Sequence, residues 1–361
     1  MINLAWILVV RGFTALFFII GLSLTTSAAL VDLPRVDSVM FATKSTTLSN
    51  GTRGELVTFP SNTPIDYRPL LLGDPGPQFT LNAQMFRPAK AKSKHPAIIL
   101  VPGSGGMGPH HLEQASTLVD AGFVVLLIDP FHGRGIGNTI ADQGRLSWAG
   151  SAYDVLAALK WLQSRPDIDV GRVGAVGSSR GGTAVMMAAS AQLSKAVLGR
   201  KPGLRAVVAG YPWCGAQFRS SQLNTNASLL VLQGDRDDWV SVQQCQDAVH
   251  AISVAGGKAR MKLFPGGLHA LDRTGVSPTR IEEAVTSTIF PTIYMDDGGR
   301  YFDPRTGSVD ATLTPADFSK HSVTAGFVHK GVTIGTVGSQ AEEYVQEMVC
   351  FLLDEMLVPK K

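Results

Sequence analysis

The sequence predicts an α/β protein with a mostly parallel central sheet covered by helices on both faces. Three observations carry that expectation. Short runs rich in Val, Ile and Leu alternate with longer stretches of helical period, as successive βαβ units require. One of these runs passes directly into Gly177-Ser-Ser179-Arg-Gly181, a Gly-x-Ser-x-Gly frame, and then into the helix-forming stretch Thr183 to Ser190. The 361 residues are 45% apolar, enough for a sizeable core in one large domain.

A segment of a different kind precedes the first unit. Arg11 stands before the apolar run from Phe13 to Leu22, and Ser27-Ala-Ala29 has the small-x-small pattern of an export-signal cleavage site. Residues 1–29 are expected to be a signal peptide cut after Ala29, leaving residues 30–361 as one exported domain, periplasmic or secreted, with no stable membrane partner. Residues Leu4 to Val10 are apolar as well, so an uncleaved membrane anchor is the alternative, one that leaves Arg11 inside the bilayer.

Leu56 to Phe59 and Phe79 to Phe86 are expected as the first strands, and Pro96 to Val101 as a buried one. A helix from His110 to Ala121 leads to a strand at Phe123 to Asp129. The next helix runs from about Ser147 to Ser164 and is stopped by Pro166. Arg172 to Val176 is the strand that feeds the serine frame. Strands at Leu204 to Ala209 and Leu229 to Leu232, a helix at Ser241 to Val254, a strand at Arg260 to Phe264 and a last helix at Ala341 to Leu357 complete the alternation. Between His269 and about Gln340 the pattern is lost among Gly, Asp, Thr and Pro, including Asp296-Asp-Gly-Gly299 and Asp303-Pro-Arg-Thr-Gly307. So long a stretch is not an ordinary connection. Residues 270–340 are read as an insertion over the carboxyl edge of the sheet, a lid or part of a substrate wall, with disorder the other reading.

The net charge of +3 is spread without any Lys/Arg block, so nucleic acid is not expected as a partner and a small molecule is. Of the three cysteines, Cys214 and Cys245 follow two successive expected strands and could pair in an oxidising compartment, free thiols being the alternative. Cys350, within Val349-Cys-Phe-Leu-Leu353, is expected in the core.

The serine frame is the most specific chemical signal. A nucleophile on a sharp strand-to-helix turn leaves no room for side chains two residues before and after it, which Gly177 and Gly181 satisfy. Such a serine needs a base and an acid that orients the base, in the chain order Ser, Asp, His. The acidic turn after the strand at Leu229 to Leu232 offers Asp237, with Asp238 and Asp235 as rivals. His269 follows the last core strand through Pro265-Gly-Gly-Leu. Backbone N–H groups of Arg180, just after the serine, and of Ser104, in the loop Val101-Pro-Gly-Ser104-Gly-Gly-Met-Gly108, are the candidate oxyanion donors. That loop is no phosphate cradle, because no Gly-Lys-Ser/Thr follows. Trp213, Trp239, His132 and Arg134 are candidate pocket residues, packing being their other reading. His110 and His111 are read as a helix start rather than as metal ligands.

Taken together, the Pro-Gly-Ser-Gly-Gly loop, Asp129-Pro-Phe-His-Gly-Arg134-Gly135, the serine frame, Tyr211-Pro-Trp-Cys214, the Gly-x-x-Asp turn ending at Asp237 and Pro265-Gly-Gly-Leu-His269 resemble the dienelactone hydrolase family of α/β-hydrolases. The resemblance covers roughly Phe79 to His269 and the terminal helix. It implies the α/β-hydrolase fold, a Ser179, His269, Asp237 triad, and hydrolysis of a small-molecule carboxylic ester without metal or organic cofactor. Two departures concern the substrate: dienelactone hydrolases proper use a cysteine where this chain has Ser179, and the segment after His269 exceeds the compact family pattern. A peptidase or acyltransferase with the same triad, and a catalytically silent binding protein on the fold, are the other readings.

Overall fold

In the computed structural model, residues 34–90, 93–286 and 288–358 are described; the expected signal peptide, residues 1–29, lies outside them. Among the described residues no helix is long and apolar enough to cross a membrane. The chain starts with α1 (Ser38–Thr43), β1 (Glu55–Asn62), α2 (Tyr67–Leu71) and β2 (Gln78–Phe86). The alternating part follows: β3 (His95–Val101), α3 (Pro109–Asp120), β4 (Val124–Asp129), α4 (Trp148–Leu162), β5 (Ile168–Ser178), α5 (Arg180–Ala188), α6 (Ala191–Leu198), β6 (Ala206–Gly210), the short β7 (Ala216–Phe218), β8 (Ser228–Gly234), α7 (Val242–Val254) and β9 (Lys258–Phe264).

Eight of these strands form one sheet in the order β1-β2-β4-β3-β5-β6-β8-β9. Only β1 and β2 run antiparallel to their neighbours; from β4 to β9 every pairing is parallel. The central strands read as unbroken apolar runs because both faces are covered. Side chains alternate between two cores: Ile99 and Leu126 pack with α4, α5, α6 and α7 on one face, while Ile98, Leu100, Val125 and Leu127 pack with α3 and α9 (Gln340–Met356) on the other. The antiparallel edge strand β1, by contrast, is buried only at intervals.

Three differences from the sequence reading have simple causes. The strand before Ser179 begins at Ile168, earlier than the apolar run that signals it, because Ile168 pairs with His95 across a register shift. A further helix, α6, follows α5 after a sharp break at Ser190, whose hydroxyl caps it by accepting from the Leu193 amide. Cys350 is exposed rather than in the core. Five consecutive apolar residues cannot share one helix face, and on α9 the buried stripe is Tyr344, Met348, Phe351 and Leu352, with Cys350 turned away from it.

The segment after His269 is built rather than patternless. β10 (Thr279–Thr286) pairs antiparallel with β14 (His329–Ile334). Between them, β11 (Ile293–Met295), β12 (Tyr301–Phe302) and β13 (Val309–Asp310) form a small sheet with β7, and α8 (Pro315–Thr324) follows. Strands of two or three residues joined by Asp/Gly turns are too short to show a period.

Candidate active site

Ser179 sits where β5 gives way to α5, with φ 54° and ψ −118°, a backbone strained for any residue with a side chain. Its amide donates to Gly210 O at 2.8 Å, which ties the turn to β6. A Cβ on Gly177 would lie 2.2 Å from Gly181 O, and one on Gly181 would lie 2.2 Å from Val101 O. Both glycines are therefore fixed by close backbone approach, and the turn holds the serine hydroxyl out above the sheet end.

The structure brings Ser179, His269 and Asp237 into one hydrogen-bonded line. His269 Nε2 is 2.9 Å from Ser179 Oγ, and His269 Nδ1 is 2.9 Å from Asp237 Oδ2. Asp237 Oδ1 accepts from the amides of Trp239 (2.9 Å) and Val240 (3.0 Å), so its carboxylate is fixed at both oxygens with its side chain fully buried. A carboxylate only accepts, so Nδ1 carries the imidazole proton and Nε2 is free to accept from the serine hydroxyl. The imidazole lies between the rings of Tyr211 and Trp239, each 4.7 Å away.

The other carboxylates of the acidic turn are occupied elsewhere. Asp235 accepts from the Gly266 amide at 2.6 Å. Asp238 accepts from the Thr333 amide at 2.8 Å and so anchors β14. On the far side, Gly335 N donates to His269 O at 2.9 Å, and His269 bridges to Ile334. The return strand of the long segment thus grips the backbone of the histidine itself.

Ser104 and Arg180 border the same cavity as Ser179. The first N–H groups of a helix have no intrahelical acceptor and sit at its positive end, and Arg180 is the first residue of α5. A Cβ on Gly103 would lie 3.1 Å from Ser179 Cβ, which measures how tightly the Ser104 loop approaches the nucleophile. The side chains of Ser104 and Arg180 are joined through Gln143. Ser104 Oγ donates to Gln143 Oε1 at 2.9 Å, and Arg180 Nη2 donates to that same atom at 2.8 Å and to Gln143 O at 2.6 Å. Arg180 Nη1 donates to Leu146 O at 2.9 Å and Ser151 Oγ at 3.2 Å, and the guanidinium lies 4.1 Å over the Trp148 ring. Burial pulls its pKa down, opposed in part by the nearby Asp142 carboxylate.

Below the serine, a second polar cluster braces the floor. The Gly108 amide donates to His111 Nδ1 at 3.0 Å, which leaves Nε2–H to donate to Ser178 Oγ at 3.2 Å. Tyr211 donates to Asp272 Oδ1 at 2.5 Å, and Gln114 donates to Asp272 Oδ2 at 2.8 Å. His110 and His111 open α3; burial drives both well below the ordinary histidine value. Among the described residues no group of His, Cys, Asp and Glu has the arrangement of a metal site.

A cavity of about 520 Å³ opens on Ser179, within the usual range for a small-molecule site. Trp213 and Trp239 both line it, Trp213 stacking on Trp148 at 4.5 Å. The long segment supplies Phe290, Ile293 and Phe318 to the same wall. His132 and Arg134 are not part of it. The Arg134 guanidinium is spent on Asp154, at 2.6 and 2.9 Å, and lies 3.8 Å over the Phe79 ring, while the His132 amide is held by Asp129. Arg134 thus locks the turn after β4. Cys214 and Cys245 form a disulfide that ties the loop after β6 to α7.

Sequence reasoning missed Gln143, Trp148 and Tyr211. Gln143 and Trp148 lie in a stretch whose path over the cavity is set by tertiary packing. Tyr211 carried one signal, its place immediately after a strand end in the Tyr-Pro-Trp-Cys motif.

Residues 81–288, more than half of the chain, match the dienelactone hydrolase family. An uncharacterised peptidase of Bacillus subtilis is 26% identical over 231 residues, covering 56% of this chain and 35% of that protein. A probable 2-oxo-3-(5-oxofuran-2-ylidene)propanoate lactonase of Bradyrhizobium is 24% identical, covering 57% of this chain and 86% of that protein. The crystal structure of a putative dienelactone hydrolase from Klebsiella pneumoniae aligns over 60% of this chain and 89% of that one, at 19% identity and a TM-score of 0.45. The chain spans little more than a third of the length of the first curated relatives it matches. With its parallel sheet and the family match together, the chain has the α/β-hydrolase fold and belongs to the dienelactone hydrolase family, a family of hydrolases.

Proposed function

We propose that the protein is an exported serine hydrolase that cleaves carboxylic esters through an acyl-enzyme on Ser179. The observation that carries this reading is the line from Ser179 Oγ through His269 to the buried carboxylate of Asp237, placed at an apolar cavity. His269 Nε2 takes the hydroxyl proton as Ser179 Oγ bonds to the ester carbonyl carbon. The amides of Arg180 and Ser104 hold the oxyanion that forms. Its collapse breaks the ester C–O bond, and the alcohol leaves with the proton from His269. Water, deprotonated by the same imidazole, then adds to the acyl-enzyme; the acid departs and the proton returns to Ser179. Asp237 fixes the Nδ1–H tautomer and stabilises the charged imidazole in both halves. The leader-like residues 1–29 and the disulfide both favour export to an oxidising compartment.

Turnover of p-nitrophenyl acetate and butyrate tests this. The intact protein is expected to release p-nitrophenol, and Ser179→Ala to lose about four to six orders of magnitude in kcat. Equal rates for the two proteins would sink the reading. The match to a peptidase supports a second reading, amide cleavage by the same residues; p-nitroanilide analogues turned over faster than the esters would favour it.

A further inference from the structure

We propose that the natural substrate is an electrically neutral ester bearing an aromatic or similarly bulky apolar group, and that esters carrying a carboxylate are rejected. This rests on the ester-hydrolase reading and names the substrate class for that site.

The wall of the cavity supplies the attraction. The stacked pair Trp148 and Trp213 stands beside Ser179, Trp239 covers the imidazole, and Phe290 and Phe318 close the other side. A ring entering this space meets aromatic edges and faces, which favour a ring over an alkyl chain beyond what buried area alone gives.

The charges of the wall supply the rejection. Among the described residues bordering the cavity, the formally charged side chains are Asp66, Asp142 and Arg180. Arg180 is the only cation of the three, and it is not offered to a ligand. Its two terminal nitrogens are spent on Gln143, Leu146 and Ser151, and the residue is 2% exposed. Its Nε has no hydrogen-bond partner, but that atom is sealed from solvent, and one flank of the guanidinium is covered by Trp148. A substrate carboxylate could reach it only by displacing Gln143, which also holds Ser104. Asp66 is engaged by the Tyr301 hydroxyl and the Tyr67 amide, both at 2.7 Å, and Asp142 caps the turn at Gly144. A carboxylate entering the cavity would therefore lose water, meet two like charges and find no accessible cation to pair with.

Three esters with one leaving group test the proposal: p-nitrophenyl 3-phenylpropanoate, p-nitrophenyl butyrate and the mono-p-nitrophenyl ester of glutaric acid. In kcat/KM, the phenyl ester is expected to exceed the butyrate about tenfold, and the glutarate monoester to fall about a hundredfold below it. A phenyl ester no better than butyrate would overturn the aromatic preference. A glutarate monoester hydrolysed as well as butyrate would overturn the rejection and assign Arg180 to substrate binding. Val323 lines the cavity from α8 and is 67% exposed, so Val323→Arg is expected to fold and to narrow the glutarate deficit about tenfold. An unchanged deficit would overturn the charge of the wall as its cause. These failures are separable from failure of the underlying reading, in which Ser179→Ala would leave butyrate turnover intact.

Discussion

The sheet edge that carries Ser179 and the long segment after His269 meet at one cavity, but they are built by opposite means. At the sheet edge, local backbone demands fix the geometry: Gly177 and Gly181 leave no room for a side chain, and the strained serine follows. The long segment has short strands and polar turns, and it is held by scattered long-range bonds such as Thr333 N to Asp238, Trp239 Nε1 to Val285 O and Gly335 N to His269 O. The first region positions Ser179, and the second supplies Phe290, Ile293 and Phe318 to the wall of the cavity. The dividing line runs through the acidic turn, where Asp237 serves the imidazole and its neighbour Asp238 serves the segment.

That division predicts the largest contrast. Asp237→Asn is expected to reduce kcat about 10,000-fold, because the imidazole loses its fixed tautomer. Asp238→Asn is expected to cost less than tenfold in kcat but to loosen β14 by about 1–3 kcal/mol, seen as faster proteolysis within residues 270–340. Equal losses of kcat would erase the distinction between the two carboxylates.

The disulfide belongs to the sheet side of the comparison. Its cysteines are 31 residues apart, and the double change to serine is expected to lower unfolding stability by about 3 kcal/mol in denaturant titration. Gln143 lies between the regions, joining Ser104 to Arg180. Gln143→Ala is expected to reduce kcat about 10- to 100-fold with little change in KM, since oxyanion donors act in the transition state. A rise in KM alone would show that Gln143 acts on substrate binding instead.

The smallest effect concerns the floor below Ser178. His110 and His111 are held below their ordinary value of 6.5 by burial, with Arg273 acting in the same direction on both and the neighbouring His110 adding to the effect on His111, partly opposed there by Asp272. A histidine whose folded value is depressed contributes stability that is full above 6.5 and lost as pH falls. Stability should therefore decline below pH 6.5 with a slope of up to about 1.4 kcal/mol per pH unit for each histidine. His110→Gln is expected to remove about half of that slope; an unchanged slope would show that other groups carry it.

How much of this could be read in the sequence follows the same divide. The alternation of strands and helices, the serine turn, His269 and the acidic turn that holds Asp237 were legible because each is imposed by a local constraint or by chain order. The turn holding His132 and Arg134 looked like part of the site, yet the Arg134 side chain is consumed by Asp154, twenty residues on in α4, a partner that sequence spacing does not reveal. Cys350 was misplaced because a run of apolar residues does not say which face of a helix is buried. Gln143 and Trp148 were invisible, since only tertiary packing brings them to Arg180.

Stoichiometric labelling with a fluorophosphonate, followed by peptide mapping, tests the central claim most directly. One phosphonyl group per chain on Ser179 is expected, abolished by Ser179→Ala and slowed by His269→Ala. Labelling at another residue, or equal labelling of Ser179→Ala, would contradict it.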